Sequence, residues 1–175
     1  MRAPFAPALA LAALALLAPR AAFAQGSAQI GVAADISTTA LSVAQMADLD
    51  FGAIVPGVAK TINARTNAAA GEYVVHGTRN AEVAITMTLP TQLSTGFWTL
   101  PISFGNTSGC SRKQGGQNAC TLWNPNNVLI DRIRNNNPPN DTYFVWIGGT
   151  VMPSAVQHTG MYLGNITLSV VYTGN

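Results

Sequence analysis

The segment Ile166-Thr167-Leu168-Ser169-Val170-Val171-Tyr172 decides the fold, because its side chains alternate between an inner apolar set and an outer set. A period of two is typical of a β-strand with one face in the core and the other in water. The inner face would consist of Ile166, Leu168, Val170 and Tyr172. Gly160 and Gly164 precede the segment, which predicts a tight bend or a close backbone contact before the strand.

Similar short segments recur along the chain. The clearest covers residues 82–89, where Val83, Ile85, Met87 and Leu89 alternate with small or polar residues. Further strands are expected at residues 28–37, 48–54, 58–64, 72–78, 97–104, 128–133 and 142–151. Pro101 predicts an edge strand or a bulged strand for its segment, since proline cannot donate to a ladder. Only residues 39–47 offer a possible start for a helix.

Short strands separated by Gly, Pro and Asn turns predict an all-β fold, an antiparallel immunoglobulin-like β-sandwich. The first 24 residues have the pattern of an export signal, with Arg2, an apolar run and the small residues of Ala22-Phe23-Ala24. We therefore predict a removed signal peptide at 1–24, an N-terminal strand segment at 25–44 and the β-sandwich domain at 45–175. No stretch after the signal approaches the ~20 apolar residues of a membrane span.

The charge balance argues against nucleic acid as a partner. The chain has nine basic and seven acidic residues, and Arg2 and Arg20 would leave with the signal. The remaining charges cancel, so no basic stripe is available to hold phosphates.

Cys110 and Cys120 lie together in one polar stretch. An exported chain meets an oxidising compartment, so a structural disulfide between these two is expected. Two cysteines without histidines at ligand spacing do not predict a zinc site, and the spacing is not that of a Cys-x-x-Cys redox motif.

Three segments carry a resemblance to a known family. They are Asp48-Leu49-Asp50-Phe51-Gly52-Ala53-Ile54, Tyr73-Val74-Val75-His76-Gly77 and Gly160-Met161-Tyr162-Leu163-Gly164 with the strand that follows. Their order and spacing resemble the secreted bacterial family DUF4402. The closing pair Gly160 and Tyr172 also resembles, more loosely, the end of chaperone–usher pilin subunits. The resemblance implies a pilin-like sandwich that lacks one strand, filled by the N-terminal extension of the next subunit.

The N-terminal strand is the candidate for that extension. Its alternating apolar residues would fill the pockets of an acceptor: Ile30, Val32, Ala34 and Ile36. The alternative is that this strand packs within its own domain. The first interpretation predicts a secreted, periplasmic or cell-surface subunit of a fimbria-like filament. Its partners would be other copies of the chain or related subunits, with a periplasmic chaperone.

We expect no enzymatic activity and no cofactor. His76 and His158 have no His, Cys or paired carboxylate at ligand spacing, so no metal site is expected. Asp48 and Asp50 would share one face of a strand, which suits a calcium site or a pair of acid catalysts. The favoured interpretation is that they form the solvent face of a strand whose other face carries Leu49 and Phe51. The runner-up function is an adhesin or carbohydrate-binding module, with Trp123 as a possible glycan contact beside polar loop residues.

Overall fold

The structure is a computed structural model that describes residues 40–133 and 141–174. The predicted signal peptide and the donor candidates Ile30, Val32, Ala34 and Ile36 lie outside the described residues. The Asn- and Pro-rich loop 134–140 lies outside them as well.

The described residues form twelve strands and one short 3₁₀ helix, Gln117–Ala119. The strands are β1 (Ser42–Ala47), β2 (Lys60–Ile62), β3 (Gly71–His76), β4 (Glu82–Thr88), β5 (Gln92–Thr95), β6 (Trp98–Ser103), β7 (Gly109–Arg112), β8 (Thr121–Trp123), β9 (Leu129–Arg132), β10 (Thr142–Ile147), β11 (Gly149–Val151) and β12 (Thr167–Tyr172).

Every strand pairing in the described ranges is antiparallel. A five-stranded sheet has the order β1-β3-β10-β7-β8, a four-stranded sheet has the order β2-β11-β6-β5, and a three-stranded sheet has the order β12-β4-β9. No α-helix occurs in residues 40–133 or 141–174. The predicted all-β antiparallel sandwich is confirmed.

Strand β10 lies in the middle of the five-stranded sheet and is apolar on both faces. Tyr143, Val145 and Ile147 are fully buried on one face, as the alternation predicts. On the other face Phe144 and Trp146 stack with their ring centroids 5.8 Å apart. This second face is covered by the Cys110–Cys120 disulfide.

The predicted strand 142–151 is divided at Gly148, where the chain passes from the five-stranded to the four-stranded sheet. A Cβ atom at Gly148 would overlap the carbonyl oxygen of Ile62 in β2. Only glycine allows the two backbones to approach so closely. One continuous segment therefore joins the two sheets.

Two apolar clusters form most of the core. The first lies between β3 and β10 on one side and β4 and β12 on the other, and comprises Val75, Val83, Ile85, Ile133, Tyr143, Val145 and Leu168. The second fills the space beside the four-stranded sheet and comprises Phe51, Ile62, Ala70, Leu100, Ile102 and Val151. The alternation that predicted β4 and β12 places their inward side chains in the first cluster.

Two local predictions are wrong. Residues 48–54 are not a strand, and the strand of this region is β1, within the segment considered for a helix. The side chains of β1 are largely exposed, so its conformation comes from backbone pairing with β3 rather than from an apolar face.

The strand that contains Pro101 is not at an edge. Strand β6 lies between β11 and β5, and Pro101 pairs with Gln92. The carbonyl of Pro101 accepts a hydrogen bond from the backbone N–H of Met152, one residue beyond the end of β11. The missing N–H of the proline therefore falls where the ladder with β11 stops, and a central strand tolerates it.

The predicted disulfide is confirmed. Cys110 in β7 bonds to Cys120, with their Cα atoms 5.6 Å apart, and both residues are buried. The Arg65 guanidinium donates to the carbonyl of Cys120 at 2.7 Å. The bond closes the polar loop against the outer face of β10.

Candidate functional site

A groove of about 990 Å³ opens between two segments that are far apart in sequence. Residues 45–54, which continue from β1, form its first wall. Residues 157–166, which lead into β12, form its second wall. The first wall continues from β1 of the five-stranded sheet and the second wall leads to β12 of the three-stranded sheet, so the groove follows the gap between two sheets.

The floor of the groove consists of core side chains. Leu100 and Ile102 of β6 line it, and Ile147 at the end of β10 closes it from below. Leu100 and Ile102 also belong to the second core cluster, together with Phe51 from the first wall. The groove is thus a place where the apolar core reaches the surface between two walls.

The first wall is held by backbone bonds and a tight turn. Its Asp50 N–H donates to the carbonyl of Ala69 at 3.0 Å. The carboxylate of Asp50 accepts from the N–H of Gly52 at 2.7 Å, and Gly52 has a φ of 57°. Asp50 therefore stabilises a turn in the groove wall.

Asp48 also lies in the first wall, where its carboxylate accepts a hydrogen bond from the side-chain amide of Gln45. Asp48 and Asp50 both line the groove. Within residues 40–133 and 141–174, no group of three or more His, Cys, Asp or Glu side chains could hold a metal ion.

The second wall is attached to β5 and β6. Ser94 and Leu163 exchange two backbone hydrogen bonds, at 2.8 and 2.9 Å. The Gln157 amide donates to the carbonyl of Thr99 at 2.9 Å and to the Tyr162 hydroxyl at 2.6 Å. A Cβ at Gly164 would lie 2.6 Å from the Leu93 side chain, so the predicted close backbone contact is present.

A tyrosine crosses the groove at the end that lies next to β1 and β12. The hydroxyl of Tyr73 in β3 donates to the carbonyl of Ile166 at 2.9 Å. Burial, followed by the nearby charge of Asp48, raises the pKa of Tyr73 above its ordinary value. The hydroxyl therefore stays protonated and keeps its donor role.

Both walls continue into strands that end a sheet among the described residues. β1 is the first strand of the five-stranded sheet and β12 the first of the three-stranded sheet. In general, a strand at the end of a sheet has one row of backbone groups that can pair with a further strand. The inward face of β12 is as the alternation predicts, with Leu168 buried, Ile166 and Val170 half-buried, and the Tyr172 hydroxyl accepting from the N–H of Thr78 at 2.6 Å.

The opposite side of the sandwich is closed by a polar clamp, defined as Lys113, Asp131, Tyr143 and Ser111. Lys113 Nζ lies 2.8 Å from Asp131 Oδ1, and the Tyr143 hydroxyl donates to Asp131 Oδ2 at 2.9 Å. The same hydroxyl lies 3.0 Å from Ser111 Oγ. These contacts join β7 and β10 of one sheet to β9 of the other.

The clamp shifts the pKa of two groups. Burial would raise the pKa of Asp131, but the bonds from Lys113, the backbone N–H of Arg132 and Tyr143 outweigh it, and the pKa is lowered. Burial raises the pKa of Tyr143, and the charge of Asp131 adds to this, although Ser111 opposes it. At neutral pH the clamp therefore holds an ionised carboxylate and a neutral phenol.

Trp123, the possible glycan contact, lies half-buried against the first core cluster. Its indole nitrogen is buried and has no hydrogen-bond partner among the described residues. A Cβ at Gly109 would lie 2.7 Å from the Trp123 ring, so this residue packs directly against the backbone of β7. Its glycan contact stays a prediction.

Sequence reasoning missed two parts of the site. It placed Phe51 on a strand, whereas the structure uses it as a core residue of an irregular groove wall. It also gave no role at this site to Phe97, which is exposed beside Trp98 near the second wall. The signal for these two was available, since a Gly-Phe-Trp sequence between two strands places aromatic rings on a turn.

No family model, curated protein or solved structure matches this chain. The part of the chain that the structure describes has no helix of the length and apolar character needed to cross a membrane. The groove and its walls are therefore the basis for an assignment of function.

Proposed function

We propose that the protein is a structural subunit of a fimbria-like filament, secreted or on the cell surface, and that its groove receives residues 28–36 of another copy. The fold would then be a pilin-like member of the immunoglobulin-like sandwiches. The observation that carries the proposal is the groove itself, an opening of about 990 Å³ onto the apolar core between two terminal strands.

The chemistry of the groove suits an extended apolar strand. Its floor is apolar, and its walls are continuous with strands that are end strands of their sheets among the described residues, so an inserted strand would gain both side-chain burial and main-chain hydrogen bonds. Four alternate apolar residues, Ile30, Val32, Ala34 and Ile36, would face the floor. Nine residues of extended chain span about 30 Å, comparable to the ten-residue walls.

Donation to another copy explains how a filament could form. The segment precedes the sandwich in sequence, whereas the groove lies within the sandwich, so each copy would offer one donor and one acceptor. Such a head-to-tail interface is heterologous and does not close unless its rotation happens to make a ring. The disulfide fits a protein that works in an oxidising compartment.

Removal of residues 25–36 tests the proposal. The truncated chain should stay monomeric, bind a synthetic peptide of residues 28–36 and become more stable when the peptide is bound, whereas the full mature chain should form multimers that separate only on heating. Size-exclusion chromatography, electron microscopy and gels with and without boiling measure this. A matched peptide with Val32→Asp and Ile36→Asp should not bind.

A monomeric mature chain whose residues 28–36 resist protease would contradict the proposal. It would mean that the segment fills the groove of its own copy, the alternative that the sequence left open.

A further inference from the structure

One end of the groove is surrounded by exposed apolar side chains. At this end the first wall reaches Ile54 and the second wall begins at Gln157. We define the apolar cap as Val55, Val58, Phe97, Trp98, Val156 and Met161, all of which are exposed. The Phe97 side chain is fully exposed and the Trp98 side chain is about half exposed. A concentration of this kind is uncommon on a surface that stays in contact with water.

The hairpin between β5 and β6 provides the aromatic part of the apolar cap. Gly96, with a φ of 56°, begins its two-residue turn and places Phe97 at the tip. The Trp98 ring stacks on His158 of the second wall, with centroids 4.7 Å apart and planes 6° apart. The stack fixes the hairpin tip beside the end of the groove.

The loop that follows the first wall provides the aliphatic part. The N–H of Gly57 donates to the carbonyl of Ser154 at 3.0 Å, and a Cβ at Gly57 would meet the backbone of Ala155 at 3.4 Å. Val55 and Val58 therefore lie next to the loop that carries Val156. The apolar cap is built from three segments that contact one another at a single end of the groove.

The direction of an inserted strand decides which end faces the donating copy. Strand β12 pairs with β4 in an unbroken register, whereas β1 has a register shift between Gln45 and Ala47 in its pairing with β3. We therefore expect the inserted strand to pair with the β12 side, and antiparallel pairing is the more stable arrangement there. Because the second wall runs away from the apolar cap, an antiparallel strand runs toward it.

The C-terminal end of the donor segment would then emerge at the apolar cap. Only residues 37–41 connect this segment to β1 of its own sandwich, and five extended residues span at most about 18 Å. The sandwich of the donating copy is therefore held close to the apolar cap, and the cap is continuous with the groove that this copy occupies.

From these observations, and resting on the proposed function, we propose that the apolar cap is the surface on which the sandwich of the donating copy packs. The donated strand and the apolar cap then form one continuous interface between successive copies. The contact buries the Phe97 and Trp98 side chains and adds apolar burial beyond what the strand alone supplies.

Engineered cysteines test the direction in which the donated strand runs along the groove. Cys110 and Cys120 are paired with each other and buried, so added cysteines would be the reactive thiols. Mature chains with Ile36→Cys and Met161→Cys should give a covalent ladder after mild oxidation. Chains with Ile36→Cys and Gln45→Cys, at the other end of the groove, should not. A ladder from the second pair instead, or multimers with no ladder from either pair, would overturn the inference and leave the proposed function intact.

Removal of the aromatic side chains tests the contact between the apolar cap and the sandwich of the donating copy. Phe97→Ser with Trp98→Ser should raise the dissociation rate of multimers by about tenfold or more. Binding of the synthetic 28–36 peptide to the truncated chain should change little, by about twofold at most. The matched control is Val128→Ser with Ile130→Ser, two exposed apolar residues at the β9 side, which should leave both quantities unchanged.

Multimers of unchanged lifetime in the aromatic variant would show that the apolar cap carries no contact. A variant that loses peptide binding would show that the aromatic residues serve the groove rather than the packing of a second sandwich, which also overturns the inference. If the unmodified mature chain forms no multimers, the proposed function fails first and the inference falls with it.

Discussion

The two long sides of the sandwich are built differently. On the β7–β9 side, Tyr143, Lys113 and Asp131 connect one sheet to the other by direct side-chain bonds. On the β1–β12 side, the two sheets separate and the apolar core reaches the surface through the groove. Among the described residues, the fold therefore connects its sheets by polar side chains on one side and leaves an apolar groove between them on the other.

The two sides should also contribute differently to the stability of the fold and to the proposed binding of a strand. The closed side contains the disulfide, the buried face of β10 and the polar clamp, so its contacts should determine whether the subunit folds. The open side contains apolar side chains that are only partly covered by other described residues. Their contribution to the free energy of unfolding should increase when a strand is bound. Substitutions on each side should therefore have different effects in the free and the occupied protein.

The largest difference is expected between a truncation in the first core cluster and a truncation in the groove lining. Ile85→Ala removes a side chain that is 0% exposed in the first core cluster and should lower the free energy of unfolding by about 2–5 kcal/mol. Leu93→Ala, in the half-buried groove lining, should cost clearly less in the truncated free subunit. Its cost should increase when the 28–36 peptide is bound. Urea unfolding with and without the peptide measures the stability of both variants. Equal stability losses for the two variants in the free subunit would contradict the difference between the core and the groove lining.

The disulfide should have the next largest effect. Cys110→Ala with Cys120→Ala opens a loop between residues ten positions apart, which should lower stability by about 2–3 kcal/mol in the chain-entropy model. Thermal unfolding with and without a reductant gives the same comparison for the unmodified chain. Because the bond lies on the closed side, affinity for the 28–36 peptide should not change in the folded fraction. A large loss of affinity would show that the two sides are coupled.

A smaller effect is expected from a single hydroxyl in the polar clamp. Tyr143→Phe leaves Asp131 and the buried Ser111 without this partner and should cost about 1–2 kcal/mol. Tyr162→Phe is the matched control, because its hydroxyl bonds to Gln157 and to the carbonyl of His158 on the groove side, where water is closer. Chemical denaturation should rank the first variant as the less stable. The reverse order would mean that the clamp adds little.

The smallest effect is a dependence on pH. The folded-state pKa of Asp131 lies below its ordinary value of about 3.9. A depressed carboxyl pKa stabilises the fold at pH values above the unfolded pKa, and this contribution is lost as the pH falls through the folded pKa. Stability measured from pH 6 downward should therefore fall below about pH 4, and the fall should be shallower in Asp131→Asn. Identical slopes in the two proteins would assign the acid sensitivity to other carboxylates.

Sequence reasoning succeeded where burial alone determines the pattern. β4, β10 and β12 each have a buried face, so a period of two in apolar residues was enough to find them and to assign their inward side chains. The disulfide followed from two cysteines in a single polar loop of an exported chain. These features depend on composition and local spacing, which the sequence shows directly.

Sequence reasoning failed where a distant segment determines the structure. β1 has no apolar period, and it forms because the backbone of β3 pairs with it. Residues 48–54 do alternate, yet Phe51 packs into the second core cluster from an irregular segment, with a turn at Gly52. Pro101 is tolerated in a central strand because the ladder with β11 ends beside it. In each case the decisive partner belongs to another segment of the chain, at least eleven residues away.

The amino-acid sequence by itself determined the fold class, the buried faces of the long strands and the disulfide, because hydrophobic burial acts on each segment through its own pattern of side chains. It also predicted an apolar strand segment at residues 28–36, which lies outside the described residues, without saying what that segment packs against. Only the tertiary structure decided that, among the described residues, the two sheets are connected at β7–β9 and separated by a groove between β1 and β12, because the gap depends on which strands become neighbours across sheets. The same long-range packing placed Phe97 and Trp98 at one end of that gap.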